Sequence, residues 1–478
     1  MPPETSVIAI DQGTTGTKAH RLRSDGTFET IAAFEHRQIY PQQGWVEHDP
    51  EELARHVESA LDQAGDASAI GIANQGETVV AWDADTKRPV HNAIVWQDAR
   101  TADVTERLKA DGAEELTLKL AGLPLDPYFS AAKLRWLLDN VPEAKALRKA
   151  GRLRLGTSDA FLLDRLTGRF ATDVTTASRT SLMNLETLQW DQRLVDLFGV
   201  PLDCLPEIRP TAGSFADVRG IPVTASMVDQ QAALFGHGCR RKGDAKITFG
   251  TGAFALAVAG NAVPRDTESG LEATVAWKIA DAPCAYALQG GIYNAASAVN
   301  WARSLGLFAD YQEIDDFTAE SAIARGLVFV PALSGLSCPY WDRRAAGLWL
   351  GMGLETSKAD MMQALLEGVA LLAHKVMAAI DKLSPLAPLL SVDGGMTRNR
   401  YFTRFLADAM NKRVRVPSSA ELTGLGAAQL AMIGAGLAGL DTLPPPPPPK
   451  AEIAPTAPLA PDLHARFDAA TERSKAWR

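Results

Sequence analysis

Asp11 closes a short apolar run, Ile8-Ala9-Ile10, and Gln12-Gly13-Thr14-Thr15-Gly16-Thr17-Lys18 follows it. An acid, a turn of glycine and hydroxyl residues, and a cation in that order predict a strand, an anion-cradling hairpin and a second strand from near Ala19. Backbone N–H groups of such a turn converge on an anion. The hydroxyls of Thr14, Thr15 and Thr17 add donors, and Lys18 adds charge. Asp11 suits a hard cation such as Mg2+, which prefers oxygen ligands. An ordinary glycine hairpin with a solvated acid is the plainer reading. The glycine spacing is not that of the Walker loop. Ile247-Thr248-Phe249-Gly250-Thr251-Gly252 is a second unit of the same type, and Asp393-Gly394-Gly395 ends a third apolar run. Asp229 opens Asp229-Gln230-Gln231-Ala232-Ala233, where an acid fits a helix cap or a base beside an alcohol.

These residues need a scaffold of some size, and 478 residues provide more than one domain. Apolar residues make up 46% of the chain and charged residues 22%, ordinary values for a globular protein. The net charge of −9 argues against nucleic-acid or anionic-membrane partners. Cys204, Cys239, Cys284 and Cys338 show no metal spacing and read as free thiols of a reducing compartment. No secretion signal is visible and no run reaches the length needed to cross a bilayer, so the cytoplasm is expected. Strand-like runs at 7–10, 70–73 and 93–96 alternate with helical patterns at 50–64 and 131–139, which predicts α/β architecture. The new strand–turn unit places a boundary near residue 243. The expected division is 1–242, 243–440, and a Pro-rich segment and tail over 441–478. The two halves then begin alike, a weak sign of duplication. Residues 358–382 read as one amphipathic helix, 389–392 as a strand, and 423–438 as a helix whose Gly424, Gly426, Ala427 and Ala428 permit close backbone approach. Pro444–Pro449 reads as an extended spacer, and 461–478 as a terminal helix.

Several segments occur in a characteristic order: Asp11-Gln12-Gly13-Thr14-Thr15, Gly44-Trp45-Val46-Glu47-His48-Asp49-Pro50, Asn92-Ala93-Ile94-Val95-Trp96-Gln97, Gly122 to Ser130, Ala177-Ser178-Arg179-Thr180, Asp229 to Gly236, Gly250-Thr251-Gly252, Pro339-Tyr340-Trp341-Asp342 and Asp393-Gly394-Gly395. From Val7 to Gly439 the chain resembles the FGGY carbohydrate kinases, and among them the glycerol-phosphorylating members most closely. That resemblance implies two ribonuclease-H-like domains of the actin and hexokinase type, with ATP and a small polyol in the cleft between them. It implies that Asp229 is the general base and that Asp11 and Asp229 attend Mg2+. Thr14, Thr15, Gly16, Lys18, Thr251 and Gly252 would face the phosphates, and Ala296, Asn300, Gly395 and Asn399 the adenosine side. Gly76, Glu77, Tyr128, Asp229 and Gln230 would surround the polyol hydroxyls, with Trp96 and Phe254 as the apolar wall.

The chain departs from the pattern at the polyol. Asn74-Gln75-Gly76-Glu77-Thr78 carries Gly76 where the family's glycerol-binding members have arginine, so a two-donor contact is missing and space is expected beside Glu77. Glycerol is the nearest substrate. A tetritol, pentitol or ketopentose is the alternative, and an actin-like ATP-binding sugar sensor is the reading outside catalysis. Gly76 could instead serve backbone geometry, with another residue as donor. Lys18 stands where arginine is common, and Ala296 and Asn300 also depart. The loop that binds fructose 1,6-bisphosphate in many bacterial members has no counterpart in Ser214–Pro222. A homodimer and a homotetramer are both compatible with the sequence.

Overall fold

The computed structural model describes residues 5–265, 268–444 and 448–478. Part of the expected polyproline spacer, 445–447, lies outside them. Two mixed sheets organise the chain. The first holds β1 (Ser6–Gln12), β2 (Gly16–Arg23), β3 (Phe28–Glu35), β4 (Ala69–Asn74), β5 (Ala212–Val218) and β6 (Ile221–Val228), in the order β5-β6-β4-β1-β2-β3. The second holds β7 (Ala245–Phe249), β8 (Ala253–Gly260), β9 (Glu272–Trp277), β10 (Ala285–Ile292), β11 (Leu389–Asp393), β12 (Arg413–Val416) and β13 (Ala451–Ile453), in the order β9-β10-β8-β7-β11-β12-β13. Each sheet starts with an antiparallel hairpin, β1–β2 or β7–β8, extended by one more antiparallel strand. Each then adds two parallel strands beyond the first, β4 and β6 or β11 and β12. The shared order is the ribonuclease-H-like core, present twice.

The parallel strands are apolar along their length because both faces are covered. β4 is buried at every residue. On one face of the first sheet lies α1 (Pro50–Ala64), started by Pro50 and capped by Asp49, whose carboxylate accepts from the Glu51 N–H. The other face carries a helix from the far end of the chain. α6 (Leu422–Gly434) follows β12 of the second sheet, yet packs against the first sheet and α2 (Asp229–Gly236). Glycine permits this crossing. A Cβ on Gly426 would lie 1.9 Å from the Ala232 carbonyl oxygen, and one on Gly236 2.0 Å from that of Leu422. The core there joins Val7, Ala9 and Ala225 with Leu256, Val258, Leu425 and Leu430, so the two sheets share one apolar interface.

α4 (Lys358–Leu383) is fixed at its start by a capping box between Ser357 and Asp360. By length and composition it could cross a membrane, which corrects the expectation that no run reaches that length. It is instead the central core helix of the second body, with Leu365, Leu366, Val369 and Val376 buried. α3 (Ala296–Ser304) and α5 (Arg400–Met410) pack against α4. The tail rejoins that body. β13 adds to the sheet edge, and α7 (Pro461–Ser474) buries Phe467 and Ala470 in its core. Among the described residues no disulfide joins the cysteines. A small four-stranded sheet, containing Glu47–His48, Val79–Asp83, Ala93–Ile94 and Leu153–Thr157, holds the segments around Glu77 and Trp96.

Candidate active site

Strand register assembles the acidic residues. In the parallel trio, Asn74 of β4 stands opposite both Gln12 of β1 and Val228 of β6. Asp11, the Gly76-Glu77 step and Asp229 therefore emerge from the same end of one sheet. Asp229 is the first residue of α2, with Val228 at the cap position, so Asp229 is not the cap. The helix start does not keep its carboxylate ionised either. Burial, then Asp11, then Glu77 push it up to about 7, against the Gln230 N–H and Lys246. Asp11 is also pushed up to about 7, by burial and Glu421 against Lys18. Burial and nearby negative charge both favour the protonated form of these two acids. An oxygen-rich pair of this kind fits a hard divalent cation.

The turn between β1 and β2 is closed by the Gly13 N–H donating to Gly16 O at 2.9 Å. A Cβ on Gly16 would lie 2.5 Å from the Phe34 carbonyl oxygen, so glycine is required for β3 to lie alongside. Thr14 is fixed on both sides. Its Oγ1 accepts from Trp96 Nε1 at 2.9 Å and its carbonyl from Gln38 Nε2 at 2.8 Å. Thr15 is exposed. Lys18 pairs with the Glu421 carboxylate, at 2.7 and 2.8 Å, beside the turn. Behind the turn, Thr17 Oγ1 meets His36 Nε2 at 3.1 Å, and His36 Nδ1 meets His56 Nδ1 at 3.0 Å.

The second turn faces a helix start. Ala295 and Ser297 donate their N–H groups to Thr251 O, and Ala296 donates to Gly250 O. Gly252 has no room for a side chain, since its Cβ would lie 2.4 Å from Ile292 O. Thr251, Gly252 and Ala296 are thereby together. Asn300 lies a turn further along α3, exposed, accepting from the Tyr311 hydroxyl at 2.9 Å. Gly395 follows β11 beside the same turn, with Thr248 opposite Asp393 in register. Asn399 caps α5 through Phe402 N at 2.7 Å and donates to Ile314 O at 2.6 Å. Its side chain is occupied structurally.

Trp96 packs edge-on against Tyr128 and Phe254, with ring centres 5.7 and 6.0 Å apart, so the expected apolar wall is assembled. Glu77 is buried with φ at 56°, a left-handed conformation costly for a residue with a side chain and typical of functional sites. The space expected at Gly76 is absent. A Cβ there would meet Val228 Cγ2 at 2.6 Å. The branched side chain of β6 fills the slot.

Four contributors escaped the sequence reading. Arg179 is 1% exposed and donates from Nε to Glu77 Oε1 at 2.7 Å and from Nη2 to Glu272 Oε2 at 2.5 Å. Gln289 Nε2 joins the same Glu272 oxygen at 3.1 Å. Lys246, fully buried in β7, donates to Gln230 Oε1 at 2.6 Å and Thr248 Oγ1 at 2.9 Å. Burial lowers its pKa, although Asp393 and Asp229 attract its charge. A lysine inside the apolar run Ala245–Phe249 was the available signal. Arg179 stood in the Ala-Ser-Arg-Thr motif. Glu272 and Gln289 meet only through strand register.

Residues 6–236 match the FGGY family of carbohydrate kinases, N-terminal domain, and residues 245–435 the C-terminal domain of the same family. The glycerol kinase of Thermus brockianus is 41% identical, over 98% of this chain and 99% of the relative. That of Geobacter sp. (strain M21) is 42% identical, over 91% of each. Among solved structures, Plasmodium falciparum glycerol kinase with ADP superposes with a TM-score of 0.90 at 31% identity, covering 98% of both chains.

Proposed function

The chain belongs to the FGGY family of carbohydrate kinases, and from that premise we propose that it transfers the γ-phosphoryl group of ATP to a terminal hydroxyl of glycerol. The observation that carries the reading is Asp229: a carboxylate pushed up to about 7, at the end of the strand that also closes the slot beside Gly76 and Glu77. A base of this strength suits proton removal from an alcohol near neutral pH. The relatives named glycerol kinase support the substrate.

Phosphoryl transfer asks a protein mainly for position and charge. In this reading Asp229 accepts the hydroxyl proton as the oxygen bonds to phosphorus. Lys246 steadies Gln230 beside it and keeps positive charge near the reacting oxygens. Glu77, oriented by Arg179, accepts a hydrogen bond from a second hydroxyl. Trp96, Tyr128 and Phe254 exclude water from the carbon chain, which limits ATP hydrolysis. The turns at Thr14–Gly16 and Thr251–Gly252 supply N–H donors for the nucleotide's phosphates. Asp11 and Asp229 are the residues that would hold Mg2+, which supplies charge neutralisation on phosphate oxygens. Trp96 links the two halves of the site, because it both lines the polyol wall and donates to Thr14.

The test is ADP release with glycerol, erythritol, xylitol, ribitol and xylulose. Steady turnover that ranks glycerol first is expected. Turnover confined to a longer substrate would replace glycerol, and no turnover with any of them would leave a sugar sensor as the function.

A further inference from the structure

Glu77, Arg179, Glu272 and Gln289 form one buried chain of polar groups beside the wall residue Tyr128. The Arg179 guanidinium carbon lies 5.8 Å from the Tyr128 ring centre and 5.3 Å from that of Phe129. Arg179, Glu272 and Gln289 are 1%, 3% and 2% exposed. Arg179 Nη1, a donor, and Gln289 Oε1, an acceptor, are buried without a hydrogen-bond partner. Leaving such groups unmet is costly. Both belong to side chains anchored on the same atom, Glu272 Oε2.

The placement ties this chain to the substrate. Gln289 stands opposite Leu256, and Gly291 opposite Phe254. Side chains two apart on a strand share a face, so Gln289 and Glu272 lie on the face that carries Phe254. A Cβ on Gly291 would touch the Phe254 ring at 3.6 Å, so glycine leaves that edge of the ring without a covering side chain. On the opposite side of the pocket, Val228 closes the slot at Gly76.

We propose that Arg179 and Gln289, held by Glu272, form a hydroxyl-binding subsite for a polyol hydroxyl that is not phosphorylated. Nη1 donates to that hydroxyl's oxygen, and the hydroxyl proton goes to Oε1. One donor and one acceptor match the two faces of an alcohol. The subsite provides the guanidinium contact that Gly76 lacks, from a different strand connection. It rests on the polyol kinase reading and specifies which groups of that site recognise substrate.

The experiment compares kcat/KM of wild type, Arg179→Lys and Gln289→Leu on glycerol, propane-1,2-diol and propane-1,3-diol, with KM for ATP and a thermal melt for each variant. Each variant is expected to lose about ten- to a hundredfold on glycerol, the worth of a hydrogen bond involving a charged group. On the diol that lacks the bound hydroxyl, wild type and variant should differ by less than threefold, with KM for ATP unmoved. Equal losses on glycerol and both diols would overturn the subsite and assign the residues a structural role. If Arg179→Lys does not fold, Gln289→Leu decides by the same comparison. Wild type that releases no ADP with glycerol would overturn the glycerol reading on which the subsite rests, a result distinct from uniform losses in an active enzyme.

Discussion

Replacing Asp229 with asparagine should cripple the enzyme and stabilise it, and the two effects follow from one feature. The carboxylate sits near about 7 in the folded chain and near 3.8 as a free side chain. The folded state therefore binds the proton more tightly, and between those values stability falls as pH rises. The shift is about 3 units, and at 1.36 kcal/mol per unit its ceiling is about 4 kcal/mol. Asp229 borders the cleft and faces Lys246, so water and that charge screen it, and roughly 2 kcal/mol is expected. Asparagine keeps the shape and removes the ionisation. Asp229→Asn should melt a few degrees higher than wild type at pH 8.5, and the gain should fall to less than half at pH 5, inside the window between the two pKa values, vanishing only below the free side chain's value. Turnover measured by ADP release should fall about 10²- to 10⁴-fold. Calorimetric melts at the two pH values beside the rate measurement decide it. A variant no more stable at pH 8.5 than wild type, or one with near-normal kcat, would refute the argument that a buried base of raised pKa does the work.

Gly76→Arg should lower stability by about 1–3 kcal/mol, because its Cβ meets Val228 Cγ2 and overpacking costs that much. Glycerol kcat/KM should improve only when Val228→Ala is added, and improvement by Gly76→Arg alone would contradict the filled slot. Lys246→Met removes a cation that lowers the Asp229 pKa, so the ascending limb of the pH–kcat/KM profile should move to higher pH; an unmoved limb would detach Lys246 from the base. Fructose 1,6-bisphosphate should not inhibit through a loop before Asp229. β5 and β6 are joined by a tight turn at Arg219 and Gly220, with φ of 55° and 80°. Effector titration during turnover checks this, and inhibition competitive with neither substrate would oppose it.

The parts of the site legible in the sequence were those made by neighbours in the chain. The turn at Gly13–Gly16, the strand ending in Asp11 and the small-residue helix over Leu422–Gly434 follow from local pattern alone. What escaped was set by strands that are distant in sequence and adjacent in the sheet. Gly76 reads as an empty place until β6 brings Val228 into it. Lys18 reads as a lone charge beside the turn until Glu421, 403 positions away, is seen to pair with it. Glu272 and Gln289 are unremarkable in their own strands and acquire meaning only opposite each other. Asp229 was identified from its motif, whereas the burial and the neighbouring Asp11 and Glu77 that raise its pKa are assembled by other strands.

The swap of α6 onto the first sheet has a consequence for how the chain comes into being. Synthesis delivers β1 to β6 first, and the helix that covers one face of that sheet arrives roughly two hundred residues later. Until then the alanine- and leucine-lined face that becomes the shared interface has no cover, and the nascent first half is exposed to misassociation. Closure of so long a loop makes this late contact slow. The reward is a single cooperative body. The first half does not own every element it needs, so the cleft is built only when the chain has been read out through α6.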